Sequence, residues 1–134
     1  LARPEDLVIS IIGDGGFQMT LQELAVISEH RMPIKIFIIN NEALGMVRQW
    51  QEKFHGERYS SSLFGKNPDF LKIAEGYGIR SLLVSNEKDV PDVLQDVFNY
   101  DGPVLVDFRI DWREKVYPMV APGKGINEMV GVEP

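Results

Sequence analysis

Two short runs constrain this chain more than anything else in it: Leu7-Val-Ile-Ser-Ile-Ile12, stopped by Gly13-Asp14-Gly15-Gly16, and Ile34-Lys-Ile-Phe-Ile-Ile39, stopped by Asn40-Asn41. Near-continuous apolar, β-branched runs of this length are the pattern of strands covered on both faces. Such strands need helices above and below them, and glycine or asparagine at the carboxyl end suits the sharp turn out of the sheet. Between the runs, Met19, Leu21, Leu24, Ala25 and Ile27 form an apolar stripe at helical spacing. Thr20, with Glu23 three residues on, reads as a capping box at the start of that helix, and Pro33 marks its exit.

The alternation continues downstream. A helix is expected over 44–54, then a polar loop from Gly56 to Pro68. Phe70, Leu71, Ile73, Ala74 and Tyr77 predict a further helix, closed by Gly76 or Gly78. Arg80–Val84 reads as a third strand, 87–99 as a helix with Val90, Val93, Leu94 and Val97 inward, and Val104–Ile110 as a fourth strand. This order predicts an α/β fold, a mainly parallel sheet flanked by helices and joined by right-handed crossovers. From Val116 to Pro134 the chain holds three prolines and three glycines, so 116–134 is expected to be a loop, a lid or an arm.

Composition removes several classes of function. The 134 residues carry a formal net charge of −6 with no basic block, which argues against nucleic acid as a partner. No apolar stretch reaches the roughly 18 residues of a membrane span, so no membrane partner is expected and a cytoplasmic setting is the default. With no cysteine there is no disulfide, thiolate nucleophile or Cys-ligated metal. The first apolar run begins six residues into the chain, so the sequence reads as part of a longer domain.

Ligands of open parallel sheets sit beyond the carboxyl ends of the strands, where both turns fall. Glycines allow close backbone approach to a phosphate, and a following helix would add its positive end. Asp14 supplies an anionic oxygen for a divalent cation and Asn41 a neutral one; magnesium takes few protein oxygens and completes its shell with phosphates and water. A dinucleotide fingerprint would require glycine at position 18, where Gln18 stands. Taken singly, a Gly-Asp-Gly turn or an Asn-Asn pair is commonplace. Separated by 27 positions that enclose one helix and one strand, the pair is far more specific.

In this the chain resembles the thiamine diphosphate enzymes, whose cofactor motif opens with Gly-Asp-Gly and closes, somewhat under thirty residues later, with Asn-Asn. The stretches Gly13-Asp-Gly-Gly-Phe-Gln-Met-Thr20, Asn40-Asn-Glu-Ala-Leu-Gly-Met-Val-Arg-Gln-Trp-Gln51 and Arg58-Tyr59 are similar to the catalytic subunits of the FAD-containing acetolactate synthases. The resemblance covers essentially the whole chain. It implies magnesium held by Asp14, Asn41 and the backbone carbonyl of Ala43. It also implies the cofactor against Gly13, Asp14, Gly15, Gly16, Asn41 and Met46, and a substrate side lined by Met46, Val47 and Trp50. Spacing alone leaves these last three open to another reading, a helix face packed into the core, because positions 46 and 50 share a side. His30, His55, Glu42, Glu52 and Glu57 read as surface residues.

The resemblance further implies a thiamine-diphosphate-binding fold truncated on its N-terminal side. Residues 1–134 would form the C-terminal part of the binding domain and 116–134 an arm over the cofactor. In the family the glutamate that activates the cofactor comes from another subunit's N-terminal domain, and the FAD domain lies between; no catalytic residue is expected within this chain, and the chain alone is expected to be inactive. The parent reaction condenses two pyruvates, or pyruvate and 2-oxobutyrate, with decarboxylation. A dimer or tetramer of catalytic subunits and a regulatory small subunit are implied as partners. The alternatives are another thiamine-diphosphate-dependent decarboxylase or carboligase, and a non-catalytic nucleotide-binding module.

Overall fold

The computed structural model describes residues 6–131; residues 1–5 and 132–134, which the sequence reading included in the domain and its arm, lie outside the described residues. Four strands, β1 (Ile9–Gly13), β2 (Lys35–Asn40), β3 (Arg80–Val84) and β4 (Val104–Arg109), form one sheet in the order β1-β2-β4-β3. Every pairing in it is parallel. The helices are α1 (Asp14–Thr20), α2 (Leu24–Glu29), α3 (Gly45–Phe54), α4 (Phe70–Gly76) and α5 (Val90–Asn99), with a 3₁₀ turn at Leu21–Glu23 and another at Glu87–Asp89. The expected α/β architecture is therefore the observed one.

The apolar run of β2 has a direct cause, whereas the burial on both faces expected for the Leu7–Ile12 run is not observed: β1 is an edge strand of the sheet, and Leu7, Val8, Ile9 and Ile11 are exposed. Successive side chains of a strand face opposite ways, and here both faces of the two central strands are covered. Ile36, Ile38 and Leu105 pack with Phe17, Leu24, Phe70, Ala74 and Ile79 on one side. Phe37, Val104 and Val106 pack with Val84 and Val97 on the other. Edge-to-face ring pairs add to each layer, Phe17 with Phe70 at 5.3 Å in the first and Phe37 with Phe108 at 5.4 Å in the second. Burying an aliphatic side chain of this kind contributes about 1.5–3 kcal/mol, so these two layers hold the sheet ends in place. Lys35 looks misplaced in such a strand, but its ammonium donates to the carbonyls of Tyr100 and Gly102, each at 2.7 Å. Burial nonetheless draws its pKa below the ordinary lysine value, against the pull of Asp101.

Two local expectations are corrected. The helix after β1 begins at Asp14, with Gly13 as its extended N-cap, and breaks at Thr20 into the 3₁₀ turn before resuming as α2. The Thr20–Glu23 capping box does not form: Thr20 makes no side-chain cap hydrogen bond. The tail, expected as a loop, a lid or an arm, contains one short ladder. Met119–Val120 (β5) and Met129–Val130 (β6) pair antiparallel, and Met119 is buried.

Candidate functional site

Parallel pairing in register sets Gly13 opposite Ile39, so the chain leaves the sheet at two adjacent points, at the carboxyl ends of β1 and β2. A cleft of about 530 Å³ lies between these exits. Gly13, Asp14, Gly15 and Gly16 line one wall, Asn41, Ala43, Met46 and Val47 the other, and Ile110, Glu114, Lys115 and Val116 close it from the C-terminal side. All the residues expected to meet cofactor or metal thus share one cavity.

The second wall is shaped by a tight local network. Asn41 Oδ1 accepts the Ala43 N–H at 3.2 Å, an Asx turn that takes one of its two lone pairs and is accompanied by a left-handed Glu42 (φ 54°). The turn is then clamped to the loop before α4: Leu44 N donates to Ser62 O and Phe64 N to Glu42 O, both at 2.8 Å, flanking an antiparallel bridge between Ala43 and Leu63. This is the bridge geometry in which the paired residues themselves exchange no hydrogen bond. The carbonyl of Ala43 is consequently left free; no described residue donates to it. A Cβ at Gly45 would lie 2.8 Å from Asn41 Nδ2, so a side chain there would have to displace the Asn41 amide. Gly13 is the opposite case, with an ordinary backbone (φ −74°) and nothing within 4 Å of a Cβ.

Beneath the cleft runs a buried polar chain. Asn67 Nδ2 donates to Asp14 Oδ2 at 2.6 Å and to Asn40 Oδ1 at 2.9 Å, and Asn40 Nδ2 donates to Asp107 Oδ1 at 3.0 Å. Asp107 Oδ2 lies 3.0 Å from Arg109 Nη2, an ion pair without hydrogen-bond alignment, and Arg109 reaches on to Glu42 at 2.9 Å. Asp14, Asn40 and Asp107 are each almost wholly buried. Burial pushes the Asp107 carboxyl above its ordinary pKa, partly offset by the Asn40 hydrogen bond and the Arg109 charge. Sequence reasoning placed Asn40 only in a turn, Asn67 only in a polar loop and Asp107 only in a strand. An acidic residue inside an apolar strand was the one available signal.

The outer side of α3 borders a second cleft, of about 480 Å³, lined by Met46, Val47, Trp50, Gln51, His55 and Arg58. Met46 and Val47 are each 48% exposed and Trp50 is 38% exposed, outside both core clusters. Trp50 stacks edge-to-face on Phe54 at 5.9 Å. The buried side of α3 is instead its polar one. Gln49 exchanges hydrogen bonds with the Val116 backbone at 3.0 and 2.8 Å, and the fully buried Arg48 donates to the Glu114 carbonyl at 2.5 Å and pairs with Glu52 at 2.7 Å. These contacts fasten segment 114–119 along the helix, which is how that segment comes to wall the first cleft.

Comparison with known proteins places this geometry in a family. Residues 1–108 match the thiamine pyrophosphate enzyme C-terminal TPP binding domain. The chain belongs to that family. Similar proteins include the acetolactate synthase large subunit of Pyropia yezoensis, 48% identical over 98% of the chain and 22% of that protein, and the isozyme 2 large subunit of Escherichia coli K12, 43% identical over 97% and 24%. The mitochondrial acetolactate synthase catalytic subunit of Saccharomyces cerevisiae is 42% identical over 100% of the chain and 19% of that protein. The chain thus spans about a fifth to a quarter of these relatives. Among solved structures, a thiamine diphosphate-dependent 4-hydroxybenzoylformate decarboxylase of Rhodococcus jostii RHA1 superposes with a TM-score of 0.74 at 28% identity, over 82% of this chain and 21% of that one. Among the described residues no helix is long and apolar enough to cross a membrane.

Proposed function

We propose that this chain carries the metal and diphosphate anchor, and part of the acceptor pocket, of an acetolactate synthase acting on pyruvate and a second 2-oxo acid. One observation carries the reading: Gly13–Gly16 and Asn41–Met46 converge on a single cleft at the carboxyl ends of two adjacent parallel strands. The donor set suits magnesium with a diphosphate. Asp14 offers a charged oxygen, Asn41 Oδ1 keeps a lone pair, and the Ala43 carbonyl receives no hydrogen bond from the described residues. Among the described residues no group of three or more acidic, His or Cys side chains gathers, so phosphates and water would complete the shell.

When bound, thiamine diphosphate supplies the carbon chemistry, activating the 2-oxo acid carbonyl and accommodating the electron pair left by decarboxylation. The chain's own residues anchor and shape. Gly13 has space for a side chain and no strained backbone, so what it offers is an unobstructed floor for phosphate oxygens. Met46 and Val47 border both clefts, and Trp50 extends the apolar wall into the second, where an acceptor side chain would rest. FAD, a regulatory subunit, a dimer or tetramer of catalytic subunits and a cytoplasmic setting extend the same reading to the whole protein.

The synthase reading is preferred to a simple decarboxylase because the similar proteins at 42–48% identity are acetolactate synthases, whereas the decarboxylase structure stands at 28%. The test is product analysis on the full-length gene product with thiamine diphosphate and magnesium. Pyruvate, alone or with 2-oxobutyrate, is expected to give 2-hydroxy-2-alkyl-3-oxo acids; release of free aldehyde without carbon–carbon bond formation would overturn the synthase assignment. Residues 1–134 expressed alone should sustain no turnover.

A further inference from the structure

Asn67 lies in the loop between α3 and α4, a stretch whose composition marked it only as a connector. The fold gives it another position. Because Ser62–Phe64 pairs with the Glu42–Leu44 turn, the loop is drawn under the cleft, and Asn67, 8% exposed, ends beneath Asp14. Its amide has one consistent orientation. A carboxylate only accepts hydrogen bonds, so the group 2.6 Å from Asp14 Oδ2 is the NH₂, and the same nitrogen donates to Asn40 Oδ1 at 2.9 Å. The amide oxygen then faces Gln18 Nε2 at 3.3 Å, a donor one turn into α1, which fixes the flip from the other side. Asn67 therefore joins the start of α1 to the end of β2, the two elements that carry the cleft's walls.

We propose that Asn67 is a positioning residue for the metal-binding carboxylate of Asp14. It holds Oδ2 and leaves Oδ1, which receives no hydrogen bond from the described residues, as the oxygen presented to the cation. A carboxylate held by one oxygen in a nearly dry site binds as a single, oriented donor. Without that tether it can rotate or seek another partner, and the ion must then bear the cost of ordering it. Asn40, anchored in turn on Asp107, keeps the Asn67 amide from following a displaced Asp14. This inference rests on the assignment of Asp14 as a metal ligand.

The test uses the full-length gene product and measures the magnesium concentration at half-saturation of thiamine diphosphate binding, with thermal midpoints of the metal-free proteins alongside. Asn67→Ala is expected to raise the magnesium midpoint about tenfold or more, with turnover recovering toward the unmodified level once magnesium saturates. Gln18→Met removes the support behind Asn67 while keeping a good helix former of similar length. It should shift the midpoint in the same direction by a smaller factor, so the idea stays testable if Asn67→Ala does not fold. Lower thermal midpoints with an unchanged magnesium requirement in the variants that fold would overturn the positioning role and leave the synthase reading intact. Asp14→Ala is the control that separates the two: if it too binds cofactor with the original magnesium dependence, the metal assignment fails and the role of Asn67 fails with it.

Discussion

The two clefts that meet at Met46 and Val47 are built by different means. The first joins apolar walls from Met46, Val47, Ile110 and Val116 to a polar end made of backbone and small or buried polar side chains: the glycines Gly13–Gly16 around Asp14, the Ala43 carbonyl, and a buried chain from Asp14 through Asn67 and Asn40 to Asp107. The second is made of long side chains on an exposed helix face, with Met46, Val47 and Trp50 all more than a third exposed. A site that must hold an ion and phosphates needs fixed oxygens at short range, which a dry hydrogen-bonded frame supplies. A site that must distinguish small apolar groups needs only shape, and shape on a helix surface can change with little effect on the fold. The contrast predicts that substitutions in the first cleft act on cofactor retention and those in the second on choice of substrate.

The largest effect belongs to Asp14. Asp14→Ala removes the charged protein ligand assigned to the metal and leaves the Asn67 amide nitrogen with Asn40 Oδ1 as its remaining acceptor. In the full-length protein it should abolish retention of thiamine diphosphate at fixed magnesium; equilibrium dialysis against labelled cofactor reads this directly, and unchanged affinity would break the comparison at its polar end.

Gly45→Ala sharpens it. Alanine is a better helix former than glycine, yet at the first position of α3 its Cβ would press on Asn41 Nδ2. The expected outcome is a thermal midpoint unchanged or slightly raised together with a cofactor affinity about tenfold weaker. A midpoint that fell in step with affinity would mean that Gly45 serves the fold rather than Asn41.

Trp50→Leu acts in the second cleft, on choice of substrate rather than on cofactor retention. Discrimination of one methylene in such a pocket is worth about 1–3 kcal/mol, so the partition between 2-oxobutyrate and pyruvate as competing acceptors should shift by roughly tenfold or more. Stability should fall less than for a buried tryptophan, because Trp50 is already 38% exposed and its ring contact is Phe54. A large drop in thermal midpoint with unaltered partition would show instead that Trp50 is a packing residue.

The same division explains what could be read in the sequence. The strands were legible as strands from their apolar, β-branched runs, but only for the central β2 and β4 do those runs report burial on both faces; on β1, at the sheet edge, Ile9 and Ile11 are exposed. The boundaries moved by a residue or two where the ladder starts, as at Ile9, opposite Lys35. That Gly13–Gly16 and Asn41 could meet was legible because both follow the carboxyl ends of apolar runs, and β1 and β2 do pair side by side. Asn67 was not, since its partners lie 53 and 27 positions away and its own segment has no periodicity. The start of α1 was hidden by the same glycines that flagged the site, which read as a turn although the helix begins among them. Arg48 and Gln49 carried no such signal: they are polar, yet both are buried on α3, where they donate to backbone carbonyls of segment 114–119.

The central claim is that the glycine wall and the Asn41 turn together hold a diphosphate through a divalent cation. Calorimetric titration of the full-length gene product with thiamine diphosphate, NAD and ATP, each with and without magnesium, tests it most directly. Saturable binding of thiamine diphosphate that requires magnesium, with no comparable response to NAD or ATP, is the result expected. Binding of thiamine diphosphate that is indifferent to magnesium, or preferential binding of NAD or ATP, would contradict it.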